Sequence, residues 1–180
     1  MNRLHVKVAP ATDALLSGLI GQVIRGIRLP KGEAEAARAR SPEGHGSVHG
    51  VAPCVLVAGS QTLYLNSESR DFENHEEEFL FTAGESMDMS IRPGGPPRVW
   101  EDWPWPRVEG QTIDRIAITT SIWSADHSAE DGILIRLRSG MELRIVASEF
   151  PATLDLDLCE PDSPVSMKRR KVLRTLSAIA

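Results

Sequence analysis

Apolar and polar residues alternate over much of the chain, and a period of two is typical of β-strands that bury one face. Between Ile116 and Ile122 every second residue is β-branched, which favours a strand. Apolar runs on both sides of a small-residue turn predict hairpins within Cys54–Asn66 and Ile133–Ile145. The pattern therefore predicts a mainly β protein of the α+β class.

One stretch of this pattern occurs twice. Gly21–Leu29 and Gly110–Ile118 both follow G-Q-x-I-x-x-I-x-(I/L), and they lie 89 residues apart. Downstream, Val55–Leu65 and Ile133–Ile145 each contain an apolar run, a turn and a second alternating run. Chance recurrence of a short motif in a β-rich chain is the alternative. We predict two pseudo-repeated antiparallel β units that form a sandwich or a barrel, each covering the apolar face of the other.

The length of 180 residues fits a single domain. The first unit of this domain spans about residues 12–83, and the second unit spans about residues 108–158. The segment between them, 91–107, is rich in proline and tryptophan, and we interpret it as an ordered linker rather than a central strand because proline removes a ladder donor. Within the first unit, Ser41–Gly50 is rich in glycine and predicts a loop.

The last segment, 163–180, predicts an amphipathic C-terminal helix. Ser163 can cap it and Pro164 suits its first position. An apolar stripe with helical spacing follows, and cations from Lys168 to Arg174 surround it.

Composition narrows the classes of function. The net charge of −5 argues against a nucleic-acid-binding protein, which usually carries a basic excess. No apolar run approaches the roughly 18 residues that cross a bilayer. Cys54 and Cys159 form neither a disulfide framework nor a metal-binding spacing. We expect a cytoplasmic protein that binds neither nucleic acid nor a membrane.

The strongest surface signal is an acidic run. Between Asn66 and Ser90, eight carboxylates against Arg70 alone give a net charge of −7. Such a field can attract a basic partner, although charge runs are also common in solvated loops. The candidate partner-binding residues in this run are Glu68, Asp71, Glu73, Glu76, Glu77 and Glu78.

The linker supplies further candidates, Trp100, Trp103 and Trp105. Tryptophan is enriched at the energetic centres of protein interfaces, and neighbouring prolines would hold the rings rigid. The alternative is a lid that buries the rings against the sheets. Whether this segment is buried or exposed stays open at this point.

Signals for catalysis are weak. The chain lacks a nucleophile elbow, a phosphate-binding loop and a dinucleotide fingerprint. We therefore predict no catalytic residue, no cofactor and no metal. Metal binding by His45, His49, His75 or His127 stays open, because each lies near carboxylates or glycines without a defining spacing.

The two G-Q-x-I-x-x-I openings at Gly21 and Gly110, with the hairpins after them, resemble the small two-unit β-rich immunity proteins of bacterial polymorphic-toxin systems. This resemblance implies a non-enzymatic protein that occludes the active site of a cognate toxin, often a basic nuclease. It carries over no individual functional residue.

Two alternatives remain on the sequence alone. One is a small hydrolase or ligand-binding β-barrel that uses loop histidines and carboxylates. The other is a structural scaffold module that forms a homodimer or larger oligomer through an exposed edge strand.

Overall fold

The computed structural model describes residues 4–40, 47–51, 53–71, 77–86, 99–103, 107–122, 127–148, 153–159 and 170–178. In chain order, the elements of these ranges are β1 (Leu4–Val6), α1 (Pro10–Gly18), β2 (Ile24–Pro30), α2 (Lys31–Arg40), β3 (Ser47–Val51), β4 (Cys54–Ala58), β5 (Gln61–Asp71), β6 (Glu77–Gly84), β7 (Trp100–Trp103), β8 (Ile113–Ile122), β9 (His127–Leu137), β10 (Glu142–Ala147), β11 (Leu154–Cys159) and β12 (Arg170–Thr175).

The strands form two sheets. The five-stranded sheet has the order β6-β5-β4-β2-β7, and all of its pairs are antiparallel. The seven-stranded sheet has the order β12-β8-β9-β10-β11-β3, and β1 joins it as a parallel partner of β9. The prediction of a mainly β protein with antiparallel sheets is confirmed. In the five-stranded sheet, β2, β4, β5 and β6 pair in chain order, and β3 is the one strand inserted among them in the sequence. In the seven-stranded sheet, β8, β9, β10 and β11 pair in chain order.

Side chains at alternate positions of both sheets pack into one apolar core. On β9, Ile133 and Ile135 are buried in this core, whereas Arg136 faces outward and is exposed. Burying one such apolar side chain contributes about 1.5–3 kcal/mol. Large core residues from both sheets include Ile24, Leu56, Leu63, Leu65, Phe81, Ile113, Ile116, Ile118 and Ile133. Residues alternate between the two faces of each sheet, although β4 and β10 are buried at nearly every position.

Backbone hydrogen bonds tie the two Gly-Gln-x-Ile segments directly to each other. The Gly21 N–H donates to the Ile113 carbonyl, and the Gly110 N–H donates to the Ile24 carbonyl, both at 2.8 Å. Two further bonds join neighbouring residues in the same reciprocal way. Gly21 and Gly110 have φ values of 86° and 79°, a region that favours glycine. The start of β2 is therefore fixed against the start of β8, although the two strands belong to different sheets.

The predicted C-terminal helix over 163–180 is wrong for Arg170–Thr175, which form strand β12. This strand pairs antiparallel with β8, at the edge of the seven-stranded sheet. The ladder to β8 supplies hydrogen bonds between residues far apart in the sequence, and these override a local helical pattern. Val172 and Leu173, on successive positions, are 46% and 44% exposed, as expected where an edge strand shows both faces to solvent.

The predicted loop Ser41–Gly50 is wrong at its C-terminal end. Ser47–Val51 form β3, which pairs with β11 and buries Val48 and Val51 in the core. Gly50 lies in this strand with a positive φ, and because glycine is typical of loops, the sequence did not indicate a strand here. The helix α1 has Pro10 at its start and buries Leu16.

Gly132 gives a test of the packing between β9 and β10. A Cβ atom at this position would lie 2.5 Å from the Ile145 carbonyl oxygen and 2.6 Å from Val146 Cγ1. We expect Gly132→Ala to lower the free energy of unfolding by about 1–3 kcal/mol in urea denaturation. Gly32→Ala is the matched control, because Gly32 lies in α2 with no atom within 4 Å of the added carbon. This control should leave stability unchanged or raise it by up to about 1 kcal/mol, and equal losses in both variants would contradict the described register.

Candidate functional site

The β5–β6 hairpin carries the described part of the acidic run. Its antiparallel register places Glu68 opposite Leu80, Arg70 opposite Glu78 and Asp71 opposite Glu77. Glu68 is half-buried, at the start of the acidic end of the hairpin. Two of the candidate residues, Glu73 and Glu76, lie outside the described residues. We call Glu68, Arg70, Asp71, Glu77 and Glu78 the acidic hairpin end.

Buried contacts hold the base of this hairpin. Ser67 is fully buried, and its hydroxyl donates a 2.8 Å hydrogen bond to the Thr153 carbonyl, next to β11 of the other sheet. Phe81 is opposite Ser67 and belongs to the core. Further along β6, the Thr12 hydroxyl of α1 donates to the Ala83 carbonyl at 3.3 Å. The acidic hairpin end therefore extends from a base that both sheets and α1 position.

The register sets two acidic positions of the hairpin end against each other. Like charges at directly opposite positions of an antiparallel pair are destabilising, and Asp71 and Glu77 occupy such positions. Arg70 is the one cationic residue within the hairpin end, and its ladder partner is Glu78. A cationic surface placed against this end would offset the repulsion between the carboxylates.

The tryptophan candidates differ from one another in their surroundings. Trp103 on β7 is 4% exposed and belongs to the core. Trp100 on the same strand is half-buried, and its ring makes an edge-to-face contact with Tyr64 at a centroid distance of 6.0 Å and an angle of 72°. Trp105 lies outside the described residues. Of the described pair, only Trp100 offers surface to a partner in the folded protein.

The acidic hairpin end and Trp100 do not form one contiguous patch. The strand β6 lies at one edge of the five-stranded sheet and β7 at the other. The Trp100 ring reaches Tyr64 of β5, which lies seven residues from Asp71 on that strand, or roughly 23 Å at about 3.3 Å per residue. A partner would have to cross the outer face of the sheet to contact both.

A buried ionic cluster, which the sequence did not indicate, lies at the other sheet. Glu130 of β9 is fully buried, and its carboxylate accepts hydrogen bonds from Arg174 Nε at 3.0 Å, Arg174 Nη2 at 3.1 Å and the Val8 N–H at 2.8 Å. Arg174 also pairs with Asp13 of α1 at 2.7 Å. We call Val8, Asp13, Glu130 and Arg174 the terminal clasp, because it joins both ends of the described chain to β9.

The terminal clasp has the chemistry of a structural site. Hydrogen bonding to Glu130, and then to Asp13, raises the pKa of the Arg174 guanidinium above its ordinary value. The neighbouring carboxylate, Asp131, is also buried and accepts a 3.0 Å hydrogen bond from the Thr119 hydroxyl. Glu130 and Asp131 both lie within β9, where they have partners that fix their orientation.

The histidines and cysteines add no reactive centre within the described ranges. His49 is exposed, with its Nδ1 at 3.5 Å from Asp155 Oδ2. His127 begins β9, and His45 and His75 lie outside the described residues. In the described residues, no group of three or more potential ligands is arranged to hold a metal. Burial raises the pKa of the Cys54 thiol to about 12, so this free thiol stays protonated and unreactive.

Comparison with models of known protein families, with curated proteins and with solved structures found no match for this chain. In the described part of the chain, neither helix has the length and apolar composition that a bilayer crossing requires.

The terminal clasp predicts a large effect of one substitution. Arg174→Met removes the cation and leaves the carboxylate of Glu130 buried, so we expect the free energy of unfolding to fall by about 3–5 kcal/mol in urea denaturation. Arg138→Met, at an exposed turn position, is the control and should change stability by less than about 0.5 kcal/mol. The double variant Glu130→Gln/Arg174→Met should be more stable than Arg174→Met alone. Similar losses for Arg174→Met and Arg138→Met would show that the clasp contributes nothing to stability.

Proposed function

We propose that this chain is a non-enzymatic protein-binding module that binds a basic protein partner through the acidic hairpin end. The observation that carries the proposal is the β5–β6 register, with Asp71 opposite Glu77 and with Glu78 next along β6. A surface that is unfavourable alone and favourable against cations has the electrostatic property that such recognition requires.

The proposed acidic surface also affects the kinetics of binding. A concentrated negative field raises the association rate for a basic partner by about 10–10³-fold at low ionic strength. The buried Ser67–Thr153 hydrogen bond holds the base of the hairpin, which lowers the ordering cost on association. Binding through this surface is therefore fast and strongly dependent on salt.

For the biological role, we propose an immunity protein that neutralises a cognate bacterial toxin by covering its active site. The resemblance of the two Gly-Gln-x-Ile openings to immunity proteins motivates this role, and the acidic hairpin end suits a basic nuclease domain. Trp100 can contribute where a partner covers the outer face of the five-stranded sheet, since standard interfaces bury about 800 Å² on each partner. We place this activity in the cytoplasm, where the free thiols Cys54 and Cys159 are stable.

One double variant separates binding from stability. Asp71→Asn/Glu77→Gln removes two opposed negative charges from the hairpin, so we expect stability to stay the same or to rise by up to about 1 kcal/mol. The same variant should capture less of a basic partner from a native bacterial lysate at low salt. Glu35→Gln/Glu109→Gln removes the same charge from two exposed residues elsewhere and should capture the partner as the wild type does.

The captured protein then tests the biological role. Its expression alone should stop bacterial growth, and co-expression with this chain should restore growth. Equal capture by the wild type and both variants would remove the acidic hairpin end from the proposal. A captured protein that is harmless when expressed alone would reject the toxin role and leave the protein-binding function.

We further propose that the two sheets are a sandwich built from two copies of one β unit. The order β2-β4-β5-β6 in one sheet corresponds to β8-β9-β10-β11 in the other. The reciprocal hydrogen bonds at Gly21 and Gly110 relate residues 89 positions apart, as the sequence motif does. These correspondences support duplication of an ancestral unit.

Equivalent positions should respond equally to the same substitution. At both Gly21 and Gly110, an added Cβ would meet no atom within 4 Å, so alanine is unfavourable there only through the positive φ. We expect Gly21→Ala and Gly110→Ala each to cost roughly 1–2 kcal/mol and to agree within about 0.5 kcal/mol. Clearly unequal costs in urea denaturation would argue against equivalent roles for the two glycines.

A further inference from the structure

The outer face of the seven-stranded sheet carries a groove that the acidic hairpin does not involve. Its lining comes from β8, β9, β10 and β12, and its volume is about 170 Å³. The floor is apolar, formed by Ala117, Leu134 and Val172. Arg115, Arg136 and Glu142 line the same groove, and Glu142 of β10 is directly opposite Arg136.

Pairing register brings the two arginines together. Arg115 of β8 is directly opposite Arg136 of β9, and both side chains are exposed. Glu142 of β10 is in turn directly opposite Arg136, so the row contains two cations and one carboxylate and keeps one positive charge for an anion. Among the described residues, neither arginine has a hydrogen-bond or ion-pair partner.

Several other arginines of the described chain have acceptors within the protein. Arg28 pairs with Asp102 at 2.8 Å, and Arg174 pairs with Glu130 and Asp13. Arg25 donates to the Gly59 carbonyl at 3.1 Å. The two arginines of the groove thus differ from arginines that already have an acceptor within the protein.

A third arginine adds positive charge next to the groove. Arg144 is opposite Leu134, the floor residue, and is two positions from Glu142 on the same face of β10. It is only 7% exposed, and its Nε lacks a hydrogen-bond partner. Asp157 of β11 is directly opposite Arg144 on its other side, and the unpartnered Nε is the part of the guanidinium whose burial a nearby anion would offset.

We propose that this groove binds a small carboxylic acid with a short branched apolar group. Arg115 and Arg136 hold the carboxylate, because guanidinium groups match the planar geometry of its two oxygens. Ala117, Leu134 and Val172 contact the apolar group. The groove volume of about 170 Å³ suits a ligand of this size.

The groove and the acidic hairpin end lie on different sheets, so the ligand site stands independently of the proposed partner. Amide NMR spectra of the full chain, titrated with 4-methylvalerate, test the site directly. We expect saturable shifts at Ala117, Leu134 and Thr175, with saturation at millimolar concentrations. The corresponding amide, 4-methylvaleramide, matches the acid in shape without the charge and should produce much smaller shifts.

Matched variants identify the carboxylate-binding groups. Arg115→Gln and Arg136→Gln should each weaken 4-methylvalerate binding about tenfold, the loss expected for one charge-assisted hydrogen bond. Arg138→Gln removes an exposed arginine from the neighbouring turn and should leave the dissociation constant unchanged. Unchanged thermal stability in all three variants ensures that the comparison concerns binding.

Three results would overturn the proposal. They are equal binding of the acid and its amide, equal weakening by Arg138→Gln and Arg136→Gln, and binding of a blocked peptide with a C-terminal leucine in preference to the free acid. The last result would assign the groove to the end of a protein chain.

Discussion

Reciprocal backbone hydrogen bonds between residues 21–24 and 110–113 determine where the two sheets begin. They place the first residues of β2 and β8 side by side, although each strand continues into a different sheet. Ile24 and Ile113 then enter the same core, and both are fully buried. The positive φ of Gly21 and Gly110 permits the turn into this arrangement. The shared core, and hence the position of every outward-facing residue, depends on this junction.

The hydrogen bonds of this junction fix only the starts of β2 and β8, so other contacts hold the outer strands of each sheet. On the seven-stranded sheet, the terminal clasp attaches β12 and α1 to β9 through Arg174. On the five-stranded sheet, Ser67 connects the base of the β5–β6 hairpin to the segment before β11. Buried polar groups stabilise the fold only when they are paired. Both contacts meet this condition, so the edges keep the register that positions the acidic hairpin and the arginine groove.

Alternation of apolar residues was sufficient to predict the strands whose one face is buried. The hairpin of β4 and β5 and the strands β8 and β10 were predicted from alternating residues or short apolar runs, which are properties of the local sequence, although β4 and β10 are buried at nearly every position. β12 was missed for the opposite reason. Its apolar residues fit a helical stripe, and the ladder to β8 and the Arg174–Glu130 pair join residues about 44 or more positions apart.

The candidate sites also divide into features that the local sequence shows and features that depend on strand pairing. The acidic run between Asn66 and Ser90 is visible in the sequence, since charge is a local property. The opposition of Asp71 and Glu77 is not visible, because it depends on the hairpin register. Trp103 shows the reverse case, in which a residue type common at interfaces is buried in the core. Similarly, Arg115 and Arg136 are unremarkable until the β8–β9 ladder places them opposite each other.

The net charge of the chain agrees with one of its two candidate surfaces and not with the other. The overall value of −5 would suggest a partner of positive charge, and the acidic hairpin end agrees with that expectation. The arginine groove lies on the other sheet and has the opposite preference, because its cations lack acceptors among the described residues. What decides the preference of each surface is whether its charges already have partners within the fold, as Arg174 does and Arg136 does not. A charge that the fold leaves unpaired retains its full interaction energy for a ligand, whereas a paired charge has already used it for stability.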